Sequence, residues 1–347
     1  MAARPLPSPD SSLGDAVLTT PYGPGEALPL FIQPLDPLLQ RDSEAAAQWF
    51  EAHRPAIEPL LLDHGAIVLR GFAIPDTQAF ERLIASYASP QFGYLGGATP
   101  RAQIAGRVYE STRAPAEAVL GMHQEMAYLP DYPTHLAFYC RMPAAWGGET
   151  YIADMRRFTA GVDPRFIDRI EAKGVLYTRN FRSPNVSTGH PVLDTYHKTW
   201  CNAFATDDPA TAEARAREVG LTPEWLPDGS LSVKYRARGL IEHPQTGERL
   251  WFNQIATQSL TPQNHGPHFE LYDRHYGQDR PRAYATTYGD GSPIATADLD
   301  ALYPLIGGLT VVFPWSWGDV LLLDNFLTAH GRNAYTGRRD VQVALLR

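Results

Sequence analysis

The feature that most limits what this chain can fold into is a series of short apolar runs in its last hundred residues. "ERLWFNQ", "LTVVFPW", "GDVLLLDN" and "RDVQVALLR" are each too short for a stable helix and are bounded by turn formers or charges. They read as strands. Earlier segments behave alike: "AIVLRGF" (66–72), "HLAFYCR" (135–141), "ETYIAD" (149–154) and "GVLYTRNF" (174–181). Helical signals fall before and between them. "SEAAAQWFEAHRPAIEPLLLDHG" (43–65) has a Ser cap, helical apolar spacing and a closing Gly, and "DTQAFERLIASYA" (76–88) starts on Asp76. Further helices are expected near 163–173, over 207–220 and in "TADLDALYPLIGG" (296–308). The expected fold class is mainly β with helical decoration. Residues 1–30, rich in Pro, Ser and Gly, are expected to be a flexible N-terminal segment. Residues 31–347 then form a single domain with a helical insertion around 200–280.

Composition excludes several functions. With 44% hydrophobic residues in 347, the chain can bury a sizeable core. A net charge of −8 gives no basic footprint for nucleic acid or an anionic membrane. No apolar run approaches a membrane span, and "MAARPLPSPDSSLG" lacks the hydrophobic stretch of a secretory signal. A cytoplasmic protein is expected. Cys140 and Cys201 are the only cysteines and form no CxxC, so two buried thiols are expected rather than a disulfide or zinc site.

The chemistry concentrates in "GMHQEMAYLP", where His123 and Glu125 lie two residues apart. Strand side chains alternate faces, so such a pair can reach one ion from a strand or its exit loop. His268 and Glu270 in "HFE" share the spacing, but "NHGPHFELYDRHYG" reads as a loop entering a helix, where i and i+2 face apart. The best third ligand is His330 in "GDVLLLDNFLTAHGR", delivered by a buried apolar strand. Two histidines and one carboxylate make a facial triad that leaves open positions on Fe(II).

In this order, "MHQEMAYLP", "PAAWGGETYIADMR", "GDVLLLDNFLTAHGR" and "GRRDVQVALLR" resemble the TauD/TfdA family of Fe(II)- and 2-oxoglutarate-dependent dioxygenases. The glutamate ligand and the "GGETYIAD" wording resemble its SyrP-like and clavaminate-synthase-like branch. The resemblance runs from about residue 60 to the C-terminus. It implies a double-stranded β-helix (jelly-roll, cupin-like) core, Fe(II) on His123, Glu125 and His330, and 2-oxoglutarate and O2 as cosubstrates. It further implies a small amino-acid-like substrate, free or tethered to a carrier protein, in natural-product biosynthesis. A carboxylate on the metal favours hydroxylation or desaturation over halogenation. For the far carboxylate of 2-oxoglutarate, the family uses an arginine shortly after the distal histidine, here Arg338 or Arg339, and a threonine, here Thr150.

Strand parity separates the two arginines. Val341, Val343 and Leu345 make an apolar inward face that Arg339 shares, whereas Arg338 points away with Asp340. A bulge in "TGRRD" would reverse this. Two substrate contacts are further candidates. Asn253 in "ERLWFNQ" faces the pocket unless Trp251 and Phe252 simply pack the core, and Arg107 meets a substrate carboxylate unless it is solvated. The rival functions are a zinc hydrolase on the same three ligands and a non-catalytic cupin-like binding module. Neither gives Thr150 and the arginine a task.

Overall fold

The structure, a computed structural model, describes residues 11–23, 28–91, 102–112, 114–277 and 280–347. Its centre is an eight-stranded sheet in the spatial order Val17–Pro21, Leu30–Pro34, Ala66–Leu69, Val320–Asp324, His135–Met142, Asp340–Leu346, Val108–Glu110, Gln103–Ala105. The apolar runs of the sequence lie in the middle of this sheet because both its faces are covered. Leu136, Phe138, Cys140, Leu321, Leu323, Val341, Val343 and Leu345 pack on one side. Ala137, Tyr139, Val320, Leu322, Ala344 and Leu346 pack on the other, against the helices Ser43–His64 and Thr77–Leu83. Alternate residues of each strand thus serve two cores, which is why "VLLLD" shows no polar alternation.

A second sheet, ordered Thr310–Val311, Thr150–Asp154, Thr328–Arg332, Leu120–His123, lies against the inner face of the first. Ile152 and Ala329 join the same apolar cluster as Phe138 and Val343. The two ladders are separate, so the jelly roll is an open sandwich rather than a closed barrel. A third sheet stands beside them, ordered Thr222–Trp225, Leu231–Ala237, Val175–Phe181, Tyr284–Tyr288. The stretch 200–280 therefore carries strands as well as the expected helices, including the hairpin Leu240–Glu242 with Arg249–Trp251. Within the segment expected to be flexible, Val17–Pro21 is an edge strand paired with Leu30–Pro34, while 1–10 and 24–27 lie outside the described residues. Backbone pairing, which composition does not register, orders that strand.

The helix Ser43–His64 is capped one residue earlier than expected. The Asp42 carboxylate accepts the N–H groups of Glu44 and Ala45, and Pro55 and Pro59 are accommodated within the helix. "ERLWFNQ" and "LTVVFPW" shrink to Arg249–Trp251 and Thr310–Val311. Both cysteines are free, Cys140 buried and Cys201 half-buried, and burial pushes the Cys140 thiol up to about 12.

Gly65 ends the first helix at φ 73°, donating its N–H to the Leu61 carbonyl, and its own carbonyl accepts the Thr328 hydroxyl. A Cβ at Gly65 would stand 2.7 Å from Thr328 Oγ1. Left-handed backbone and close approach both demand glycine here. Gly65→Ala is expected to lower the unfolding free energy by about 1–3 kcal/mol, measured by chemical denaturation. Unchanged stability would show that the turn relaxes freely.

Candidate metal centre

His330 lies on the strand Thr328–Arg332 directly opposite Ile152 on one side and His123 on the other, so its ring enters the space between the sheets. The Phe138 ring of the large sheet meets it edge-on at 5.1 Å. The rings of His123 and His330 are 4.4 Å apart. Glu125, two residues past His123 in the exit turn, sends Oε2 to 3.5 Å from His330 Nε2 and 3.8 Å from His123 Nε2. One ligand atom from each of the three lies within 4.8 Å of the others, the only such cluster of His, Cys, Asp and Glu among the described residues.

The histidine orientation follows from the backbone. The ladder between Thr328–Arg332 and Leu120–His123 shifts register between His330 and Arg332. At this bulge the Gly121 carbonyl lies 2.8 Å from His123 Nδ1, which assigns the proton to Nδ1 and turns Nε2 toward Glu125. Two imidazole nitrogens and a carboxylate oxygen converging in this way fit a divalent first-row metal with open coordination positions. His268 lies instead in the short 3-10 turn entering the helix Phe269–Tyr276, as its sequence context implied.

At the end of the second sheet a cationic site shares the space between the sheets. Thr150 pairs with Arg332, and Thr150 Oγ1 accepts a hydrogen bond from Trp315 Nε1 at 3.3 Å, leaving the hydroxyl proton as a donor. Arg339 immediately precedes the last strand, in phase with its inward-facing Val341, Val343 and Leu345. Its Nε donates to the Gly148 carbonyl at 2.8 Å and its Nη1 to Ser111 Oγ at 3.3 Å. Arg338 is exposed. The bulge at this end lies across the ladder, where Asp340 pairs with Met142 but Val341 with Cys140, so the parity of the arginine strand is unchanged.

Gly148 explains part of the "GGET" wording. At φ 73°, a Cβ there would stand 3.0 Å from Arg339 Cδ and 3.1 Å from its Nε. The guanidinium carbons of Arg332 and Arg339 lie 5.0 and 5.7 Å from the centre of the Tyr335 ring. Burial, then the charge of Arg332, pulls Arg339 down to about 10. Arg332 is itself lowered by burial, and it spends Nη1 and Nη2 on the carbonyls of Ala114, Pro115 and Ala118. One buried and one half-buried cation, both held by neutral groups, make a site suited to an anion.

The remaining candidates lie elsewhere. Arg107 donates to the carbonyls of Ala85 and Tyr87, and Tyr87 belongs to the core on the helix side of the large sheet. This corrects its expected place beside a substrate. Asn253 is buried, but its Nδ2 donates to the Gly239 carbonyl and its Oδ1 accepts the Ile255 N–H. That side chain holds a backbone turn, and nothing in the alternation of "ERLWFNQ" revealed that the strand stops at Trp251. Sequence reading missed Trp315, Arg332 and Ser111, whose roles depend on long-range proximity. Arg332 alone left a signal, since it stands two residues past His330 on the same face.

An open jelly roll that brings two histidines and a carboxylate to one point, with Arg332 and Arg339 nearby in the fold, has the architecture of a non-haem metal oxygenase. Over residues 32–345 the chain matches the family described as "Taurine catabolism dioxygenase TauD, TfdA family". The chain belongs to that family and is a dioxygenase. It is 31% identical to the dapdiamide synthesis protein DdaC of Enterobacter agglomerans over 309 residues, 88% of each chain. The clavaminate synthase-like protein At3g21360 of Arabidopsis thaliana is 28% identical over 302 residues, 86% of each. Among solved structures, PvcB, "an Fe, alpha-ketoglutarate dependent oxygenase from an isonitrile synthetic pathway", superposes with a TM-score of 0.52 at 15% identity, covering 96% of this chain and 93% of that one.

Titration with Co(II) under anaerobic conditions, followed by absorption, checks the ligand set. His123→Ala, Glu125→Ala and His330→Ala are each expected to weaken binding at least tenfold, a loss of about 1.4 kcal/mol. His268→Ala is expected to bind as the wild type does. Wild-type affinity in Glu125→Ala would remove the carboxylate from the set.

Proposed function

We propose that this dioxygenase binds Fe(II) through His123, Glu125 and His330, takes 2-oxoglutarate and O2 as cosubstrates, and hydroxylates or desaturates an unactivated C–H bond of a small amino-acid-like substrate. The observation that carries this reading is the combination of the three converging ligands with Thr150 opposite Arg332, two residues past His330, and Arg339 against the same Tyr335 ring as Arg332. When bound, iron and 2-oxoglutarate supply the oxidising chemistry, with succinate and CO2 as coproducts. The chain's residues set where that chemistry occurs. Arg339 takes the far carboxylate of 2-oxoglutarate, the Thr150 hydroxyl donates to it, and Trp315 Nε1 aims that hydroxyl. Phe138 closes the side of the large sheet. Glu125 occupies a metal position that a halogenase would leave to chloride.

Relatives bearing on dapdiamide synthesis and an isonitrile pathway support a substrate related to amino acids, in biosynthesis. Within this chain, Arg179 is a further candidate for contact with that substrate. The strand Val175–Phe181 puts Val175, Tyr177, Arg179 and Phe181 on one buried face, where Arg179 is the charged member. Its guanidinium carbon lies 4.9, 4.8 and 5.5 Å from the ring centres of Tyr128, Phe181 and Tyr284, and Tyr128 stands three residues beyond Glu125. Arg179 is thus a better substrate contact than Arg107 or Asn253.

Two measurements test the proposal. With Fe(II), O2 and a panel of amino acids and their carrier-bound forms, oxygenated or desaturated product should form with succinate in about equal amounts. Turnover with Zn(II) and without 2-oxoglutarate would replace this reading by a hydrolase. Arg339→Ala should raise the Michaelis constant for 2-oxoglutarate steeply, by an amount equivalent to roughly 2–5 kcal/mol, and Arg338→Ala only mildly. The reverse order would place the anchor on the other arginine.

A further inference from the structure

The Glu125 segment is gripped from two directions by side chains outside the ligand set. Asn325 Oδ1 accepts the Glu125 N–H at 2.7 Å, and Asn325 Nδ2 donates to the Glu125 carbonyl at 3.0 Å and the Pro133 carbonyl at 2.8 Å. From the other side, Gln254 Nε2 donates to the Gln124 carbonyl at 2.6 Å, while Gln124 Nε2 donates to the Phe326 carbonyl at 2.9 Å. Asp324 holds the neighbouring turn, its Oδ1 accepting the N–H groups of Phe326 and Leu327 and its Oδ2 lying 3.0 Å from His243 Nε2. His243 Nδ1 faces the N–H groups of Gln245 and Thr246, both at 3.2 Å, so it accepts and Nε2 carries the proton to Asp324.

His243 and Gln254 flank the strand Arg249–Trp251, so the network closes on itself. It runs from this hairpin through Asp324, Phe326 and Gln124 and back to the hairpin. Gln124, Glu125, His243, Gln254, Asp324 and Asn325 are each at most 5% exposed, so water cannot replace a lost bond. A grip is needed here. Met126, directly after Glu125, sits at φ 58°, a left-handed backbone that a non-glycine residue keeps only when its surroundings impose it.

We propose that Asn325 is a positioning residue, fixing the backbone of Glu125 so that its carboxylate meets the metal. Gln254, three residues past the hairpin strand Arg249–Trp251, is its counterpart, and that segment thereby helps set metal affinity. The proposal rests on the reading of His123, Glu125 and His330 as ligands. It predicts an effect on metal binding itself, before any cosubstrate or turnover.

The test is an anaerobic Co(II) titration of the full chain, reading the dissociation constant and the ligand-field spectrum. Folded Asn325→Leu should bind at least about tenfold more weakly with an altered spectrum, as partners that orient metal ligands do. Gln254→Met should weaken binding severalfold. Gln342→Leu removes an equally buried amide that bonds Thr77 on the helix side of the large sheet, and should bind within twofold of the wild type. Wild-type affinity and spectrum in folded Asn325→Leu would overturn the proposal. Where that variant does not fold, Gln254→Met decides, and unchanged affinity there counts against it. A matching loss in Gln342→Leu would reduce the effect to general destabilisation and also overturn it. Glu125→Ala in the same series separates the two readings: if it binds like the wild type, the ligand set fails. If it binds weakly while Asn325→Leu is unaffected, only the positioning role fails.

Discussion

The site depends on one cross-strand pair. His123 and His330 lie directly opposite each other in an antiparallel ladder, and Ile152 flanks His330 on the other side. Strand periodicity is two, so a slip of one residue would turn His330 and Arg332 out of the space between the sheets together. The register is held by the apolar partners of the large sheet, which accept only one face of each strand. Metal chemistry here is therefore a by-product of packing: the core chooses the face, and the histidines occupy it.

The same logic links the histidines to the two arginines. Arg332 follows His330 by two residues and pairs with Thr150, so one strand face carries a candidate metal ligand and a cation in succession. Arg339 enters from the large sheet and needs Gly148 to pass. Two sheets thus contribute side chains to this region: His330 and Arg332 from the smaller one and Arg339 from the end of the larger one.

Much of this was legible in the sequence because it depended on local patterns. Buried strands show as apolar runs, Asp76 and Gly65 marked a helix start and a helix end, and the parity of Val341, Val343 and Leu345 placed Arg339 inward. What stayed hidden depended on partners distant in sequence. Arg107 looked like a substrate cation because nothing nearby shows the carbonyls of Ala85 and Tyr87 that hold it. Asn253 looked like a strand residue because the end of the strand at Trp251 is imposed by its hairpin pairing with Leu240. The edge strand Val17–Pro21 sits in a stretch whose composition suggests flexibility, and only its ladder to Leu30–Pro34 orders it.

Cys140 lies on the inner face of the large sheet, two residues beyond the Phe138 that meets His330. Burial pushes its thiol up to about 12, which favours the protonated form at neutral pH. Burial raises Cys201 as well. Peroxide attacks the thiolate rather than the thiol. A protein that handles oxygen beside a redox metal is exposed to misfired oxidant from within, and here the nearby sulfur is kept in its unreactive form. The packing that excludes water from this core thus also disfavours the thiolate on which oxidation depends.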